Sequence, residues 1–272
     1  MPRSRYGFDE AKIARFLKEG RGIGAGADYT PWLTVQDVPS RGRSHRFEGR
    51  VTGRIHHLLS DLEYRALLIY DWSDAVSDIR EQFPLDRDDT RRIAAAMGVA
   101  HPADAKSKVD LVMTTDLVID FAGSEGPATV ARSVKPSSEL EKARTLEKLE
   151  IERRYWAERG VDWGIVTEHE LPATVARNLG KLAGYRKIDE GASPGIVGRI
   201  DREHGAWTEA NLREFCAAMD ARFALETGRA LEIVLHLLAT GAWATDLHET
   251  IDETTPLARF TRRGASAQSA SA

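Results

Sequence analysis

The chain has 272 residues, 42% of them hydrophobic and 29% charged, with a formal net charge of −4 and a single cysteine, Cys216. This is length enough for one or two globular domains. It excludes an intrachain disulfide, a cysteine zinc site and a protein that coats nucleic acid through bulk positive charge, though not one with a local basic surface.

The first twenty residues lack the apolar core of a secretory signal. No apolar run reaches the roughly 18 residues of a membrane span, so a cytoplasmic protein is expected. Phe8 to Glu19 spaces Ile13, Phe16 and Leu17 as a short amphipathic helix. The glycines of Gly20 to Trp32 resemble a phosphate cradle, but no strand precedes them and no Lys-Ser/Thr follows, so a loop is the better reading. Arg41 to His57, RGRSHRFEGRVTGRIHH, carries five Arg, three His and one acid and reads as a basic strand pair. From Met1 to His57 eleven Lys/Arg face six Asp/Glu, so positive charge is gathered here. Arg41, Arg43, Arg46, Arg50, Arg54 and His56 are expected to contact DNA phosphates, which gives sequence-independent, salt-sensitive affinity.

Leu58 to Trp72 reads as a helix capped by Ser60, with Glu63 bordering its apolar face. Val76 to Leu85 is a strand ended by Pro84, and Thr90 to Gly98 a short helix stopped by its glycine. Val109 to Phe121 and Thr129 to Val134 are strands joined by a Gly-rich turn, the second closing at Lys135 before Pro136. Glu139 to Gly160 is a helix whose buried stripe holds Leu146, Leu149 and Trp156, with Glu152 pointing the same way. Trp163 to Glu168 is a short strand. From Leu171 the chain turns almost wholly helical, including Trp207 to Phe223 and Thr227 to Thr240, before short strands around a loop. The pattern predicts an α/β domain around a mixed sheet over residues 1–170, a mostly helical, winged-helix-like domain over 171–262 and a disordered tail over 263–272.

The chemistry centres on Asp116, a carboxylate in mid-strand, and Lys135 at the end of the next strand. Phosphodiester hydrolysis needs an activated water, charge neutralisation at the phosphate and help for the leaving oxygen, which divalent metals supply. Magnesium takes oxygen ligands and keeps several waters, so two or three carboxylates suffice. Asp116, Ser133-Val134-Lys135 and the helix acid Glu63 meet that need. Alternation also puts Asp110 and Asp120 on the Asp116 face, Asp116 and Lys135 would also make a plain structural bridge, and Glu152 reads either as a core acid or as a supporting ligand.

At these residues the chain resembles the TnsA family, the endonuclease subunit of a heteromeric cut-and-paste DNA transposase. The segments are KEGRG, DYTPWLTVQDVPSRGRSH, TGRIHHLLSDLE, DIREQFPL, TTDLVID, VKP and TLEKLEIERRYW, spread over most of residues 10 to 170. The resemblance implies a restriction-endonuclease-like catalytic domain and a winged-helix C-terminal domain. It implies a catalytic set of Glu63, Asp116 and Lys135 using two Mg²⁺ ions, with Mn²⁺ as a substitute. Glu63, Asp116, Ser133, Val134 and Glu152 would be the ligands. It implies cleavage of the 5′ strands at transposon ends, with a TnsB-type transposase and a TnsC-type AAA+ regulator as partners. Family members carry an amide or acid two residues before the lysine; here it is Ser133, whose hydroxyl reaches less far and carries no negative charge. Two other readings are a DNA-binding adaptor that has lost catalysis and a stand-alone structure-specific nuclease.

Overall fold

Hydrophobic runs in the first 171 residues build one mixed sheet with helices on both faces. The structure, a computed structural model, describes residues 7–38, 43–123, 126–189 and 195–263. Its contacts divide the chain into two units, Met1–Leu171 and Pro172–Ala272. Arg41 and the tail from residue 264 lie outside the described residues.

In the first unit α1 (Glu10–Lys18) starts at Asp9, whose carboxylate accepts from the Lys12 N–H. Its Ile13 and Phe16 pack with Trp32, while Leu17, expected on that face, is exposed. The hairpin β1 (His45–Glu48) and β2 (Ile55–Leu58) leads into α2 (Asp61–Trp72), which Ser60 caps. Next come β3 (Val76–Pro84), α3 (Arg87–Ala96), β4 (Thr114–Gly123), β5 (Gly126–Val134), α4 (Ala143–Ala157) and β6 (Asp162–Val166). The main sheet runs β3-β4-β5-β6; its first three strands are antiparallel, and β6 lies parallel to β5 after the α4 crossover. Residues 109–113, expected to open the β4 strand, stay outside it apart from one bridge at Asp110.

Ala66 and Leu67 of α2 pack with Ile79, Leu117, Ile119 and Val134 on one side of the sheet. Ile93 and Ala94 of α3, with Ile151, Tyr155 and Trp156 of α4, pack with Val118 and Ala131 on the other. A sheet covered on both faces explains strands that read as nearly continuous apolar runs. Each large side chain so buried contributes about 1.5–3 kcal/mol of transfer free energy. In α4 the buried positions are Leu149, Ile151, Glu152, Tyr155 and Trp156; Leu146, in the first turn, is 46% exposed and does not belong to the stripe.

Besides a register shift between Val76 and Asp78, strand alternation breaks beside Gln82. Ile79 faces the α2 side and Phe83 packs on the α3–α4 side, although a separation of four residues would keep both on one face. Between them Gln82 has φ +47, a left-handed backbone that costs a side-chain-bearing residue about 1–2 kcal/mol. On β4 the same switch separates Leu117, packed toward α2, from Thr115, bonded to α4. Gln82 and Asp116 mark the crossing point, and the site forms there.

The second unit holds α5 (Ala173–Ala183), α6 (Ile196–Glu203), α7 (Leu212–Phe223), α8 (Arg229–Ala239) and an antiparallel pair, β7 (Trp243–Ala244) with β8 (Thr261–Arg262). Asn211 and Glu214 form a capping box at the start of α7. Ala230, Ile233, Val234, Leu235, Leu237, Leu238 and Ala239 of α8 are all buried, so this helix is hydrophobic round most of its circumference and forms the centre of the unit. Helices followed by a short strand pair is the order read from the sequence. The helix directly before the pair is a core helix. Among the described residues no helix is long and apolar enough to cross a membrane.

Candidate active site

The site lies where β4 and β5 part. Their ladder stops at Leu117↔Arg132. One residue on, the Asp116 carboxylate accepts the Val134 N–H at 2.7 Å, in place of a ladder carbonyl. Lys135 continues β5 past the fork and pairs its own N–H with the Val166 carbonyl. Its ammonium returns to Asp116 Oδ2 at 2.5 Å and to the Val134 carbonyl at 3.0 Å. Burial alone would lower the Lys135 pKa, but Asp116 foremost, then Glu152 and Glu63, hold it above the usual lysine value. The lysine side chain keeps 31% of its surface exposed, while that of Asp116 keeps 10%.

Glu63 comes to the fork from the first turn of α2. Ser60 accepts the Glu63 N–H at 3.1 Å, and the Glu63 carboxylate accepts from the Leu59 N–H and the Ser60 hydroxyl, both at 2.9 Å. This reciprocal capping fixes the side chain and satisfies helix-end donors. Glu63 is almost fully buried. Burial first, and then the Asp116 charge, pushes its pKa up to about 7 against the pull of those donors.

Gln82, which the sequence reading passed over as a strand residue, stands between the two acids. Its Nε2 donates to Glu63 Oε2 at 3.3 Å and to Asp116 Oδ1 at 3.5 Å. The one available signal was an amide in an otherwise apolar and charged strand segment, REQFPL.

Glu152 and Ser133 form a neighbouring buried cluster. The Ser133 hydroxyl reaches both Glu152 oxygens at 2.7 Å, Thr115 donates to Oε1 at 2.7 Å, and the Trp163 indole N–H does so at 3.1 Å. Trp156 donates in turn to Thr115 at 2.8 Å. Burial, then the Asp116 charge, raises the Glu152 pKa. Glu152, one of the expected ligands, thus has both oxygens accepting hydrogen bonds within this cluster. The Val134 carbonyl, another expected ligand, accepts from Lys135. Among the described residues no three His, Cys, Asp or Glu side chains form a ready-made metal cluster. The other acids read onto the Asp116 face are engaged elsewhere: Asp120 with Arg80 at 2.7 Å, and Asp110 with Arg91 at 2.7 Å.

The basic stretch divides by burial. Arg43 and Arg46 are exposed, with no ion-pair partner among the described residues. Arg50 turns its guanidinium onto the end of α2, bonding the Asp71 and Ser73 carbonyls at 2.9 and 3.0 Å. Arg54 and His56 are not surface groups. Arg54 grips Glu81 with two bonds of 2.8 and 2.5 Å, and its side chain is 8% exposed. His56 is fully buried, with Nδ1 on Glu81 at 2.7 Å and Nε2 on Thr52 at 2.8 Å. Their expected phosphate contacts are therefore corrected: a buried glutamate 25 to 27 residues downstream claims both side chains.

Residues 73–168 match a family model described as TnsA-like endonuclease N terminal. Over 248 residues the chain is 44% identical to the transposon Tn7 transposition protein TnsA of Escherichia coli, covering 89% of this chain and 88% of that protein. A 90-residue stretch is 30% identical to a peroxiredoxin of Archaeoglobus fulgidus, covering 33% of this chain and 41% of that one. Peroxide chemistry uses an accessible thiol of low pKa. Here Cys216 is buried, and burial, followed by the Asp220 charge, pushes its thiol up to about 12.

Proposed function

Since the chain belongs to the TnsA family and is the DNA endonuclease subunit of a transposase, we propose that Glu63, Asp116 and Lys135 form the site that hydrolyses the 5′ strands at transposon ends. The observation that carries this reading is the convergence of the Glu63 and Asp116 carboxylates on the amide of Gln82, with the part-exposed Lys135 ammonium 2.5 Å from Asp116.

Two nearly buried carboxylates, one with its pKa raised by burial and then by the charge of the other, fit a hard divalent cation. Glu63 and Asp116 would hold Mg²⁺, with Mn²⁺ as a substitute. When bound, the ion supplies Lewis-acid neutralisation at the scissile phosphate and a more acidic water. The donor set supports one such ion. Ser133, its proton committed to Glu152, has only lone pairs to offer, and Glu152 holds it in that orientation. Ser60 and the Leu59 N–H fix Glu63, and the Val134 N–H fixes Asp116. Lys135, held as an ammonium by its acidic neighbours, places a positive donor where charge develops on the phosphate oxygens. Arg43 and Arg46 supply backbone-phosphate contacts.

In this reading residues 1–170 are the catalytic domain, and 171–262 a winged-helix variant that docks a TnsC-type regulator and does not read a groove. A TnsB-type transposase cuts and joins the 3′ ends. The test is the reconstituted complex on transposon ends labelled separately on each strand. The expected result is a 5′-strand cut that needs Mg²⁺ or Mn²⁺ and stops with EDTA. A 5′ strand left whole while the complex assembles and the 3′ strand is cut would make the chain an adaptor and overturn the reading.

A further inference from the structure

Gln82 is 2% exposed, carries a side chain in the left-handed region at φ +47, and ends between two carboxylates. Its backbone carbonyl accepts the Trp32 N–H at 3.2 Å, which ties down the unusual peptide. Its side-chain oxygen accepts the Thr114 hydroxyl at 3.1 Å. The two carboxylates, which accept and do not donate when ionised, settle which end of the amide faces the site: the NH₂ group points at Glu63 and Asp116, one proton for each acid, and the oxygen is left to take the Thr114 hydroxyl. Strained backbone and a committed rotamer at one residue are found where a site needs a side chain aimed.

We propose that Gln82 is a positioning residue: its amide, oriented by Thr114, draws Glu63 and Asp116 together so that one divalent cation takes both. The inference rests on the reading of these acids as the metal seat. An amide suits the task on charge grounds. It offsets part of the repulsion between two like charges while leaving both negative charges in place to attract a cation. A lysine here would neutralise the seat, and a glutamate would add a third acid to it. The switch of β3 and β4 between faces at this level places the amide beside both carboxylates, which regular alternation would not do.

The test is Mn²⁺ binding to the full chain, followed by the paramagnetic resonance of free Mn²⁺, which reads affinity without catalysis. Gln82→Met keeps the length and the backbone demand but removes both protons. It is expected to weaken Mn²⁺ binding on the order of tenfold, as loss of an outer-shell partner does. Thr114→Val leaves Gln82 and its backbone untouched and frees the amide to turn; a smaller weakening in the same direction is expected, and it serves if Gln82→Met folds poorly. Gln82→Glu adds a ligand and should tighten binding, with the Mn²⁺ concentration for half-maximal cleavage following each shift. Wild-type affinity in folded Gln82→Met and Thr114→Val, or equal weakening by Gln82→Met and Gln82→Glu, overturns the proposal. If wild-type binding is absent, or survives in Glu63→Gln and Asp116→Asn, the metal seat itself is wrong and this inference falls with it.

Discussion

Replacing Arg54 by Met separates two roles that its sequence context leaves mixed. The guanidinium bonds Glu81 at 2.8 and 2.5 Å, the Ile79 carbonyl at 2.8 Å and the Gly26 carbonyl at 3.1 Å. Glu81 is fully buried, and without Arg54 it keeps only the His56 ring at 2.7 Å and the His57 N–H at 3.0 Å. Removing one partner of a buried ion pair costs about 3–5 kcal/mol. At about 2–4 °C per kcal/mol for a domain of this size, Tm should fall by roughly 6–20 °C. The assay is thermal unfolding alongside DNA binding across a salt series below the transition. The expected result is a Tm drop in that range with the slope of log affinity against log salt unchanged. A wild-type melt with a slope shallower by about 0.9, the signature of one lost phosphate contact, would refute the structural role.

Glu81 also makes stability pH-dependent. Burial pushes its pKa up, but the Arg54 and then His56 hydrogen bonds and charges outweigh it and hold the carboxyl down to about 2. A folded pKa below the unfolded one means this stability is full above about pH 4.5 and is lost as pH falls toward 2; by linkage about 2 kcal/mol goes between pH 6 and pH 3. Urea unfolding of Glu81→Gln should show a pH 6-to-3 fall smaller than wild type by that amount, and equal falls would count against it. Arg43→Gln with Arg46→Gln should flatten the DNA salt slope by up to about 1.8 with Tm unchanged; an unaltered slope would remove them from the interface. Leu149→Ala should cost about 2–5 kcal/mol and Leu146→Ala less than about 0.5, since Leu149 is 4% and Leu146 46% exposed; similar costs would contradict the phase of α4.

What was legible in the sequence follows from local rules. Ser60 reads as a helix cap, and in the structure it accepts the Glu63 N–H there. A strand acid and a lysine closing the next strand placed Asp116 and Lys135 on neighbouring strands, where their side chains meet at 2.5 Å. What was not legible depends on distant partners or on broken periodicity. Nothing local shows that Glu81 takes Arg54 and His56 out of solvent; charge density reports composition, not pairing. Alternation counted Asp110 and Asp120 with Asp116, but residues 109–113 stay outside β4 and the strands change face at the level of Gln82 and Asp116; glutamine is not a residue from which a left-handed backbone is expected. The same break hid Gln82 itself.

Single-turnover cleavage of the 5′ strand by the reconstituted transposase complex, with Asp116→Ala and Lys135→Ala in place of the wild-type chain, bears most directly on the active-site assignment. Both variants should assemble on transposon ends and leave the 3′-strand cut intact, with the 5′ cut reduced by at least about a hundredfold, the scale of losing one preorganised charge-stabilising group. Wild-type rates of 5′ cutting by both variants would place the chemistry elsewhere in the chain.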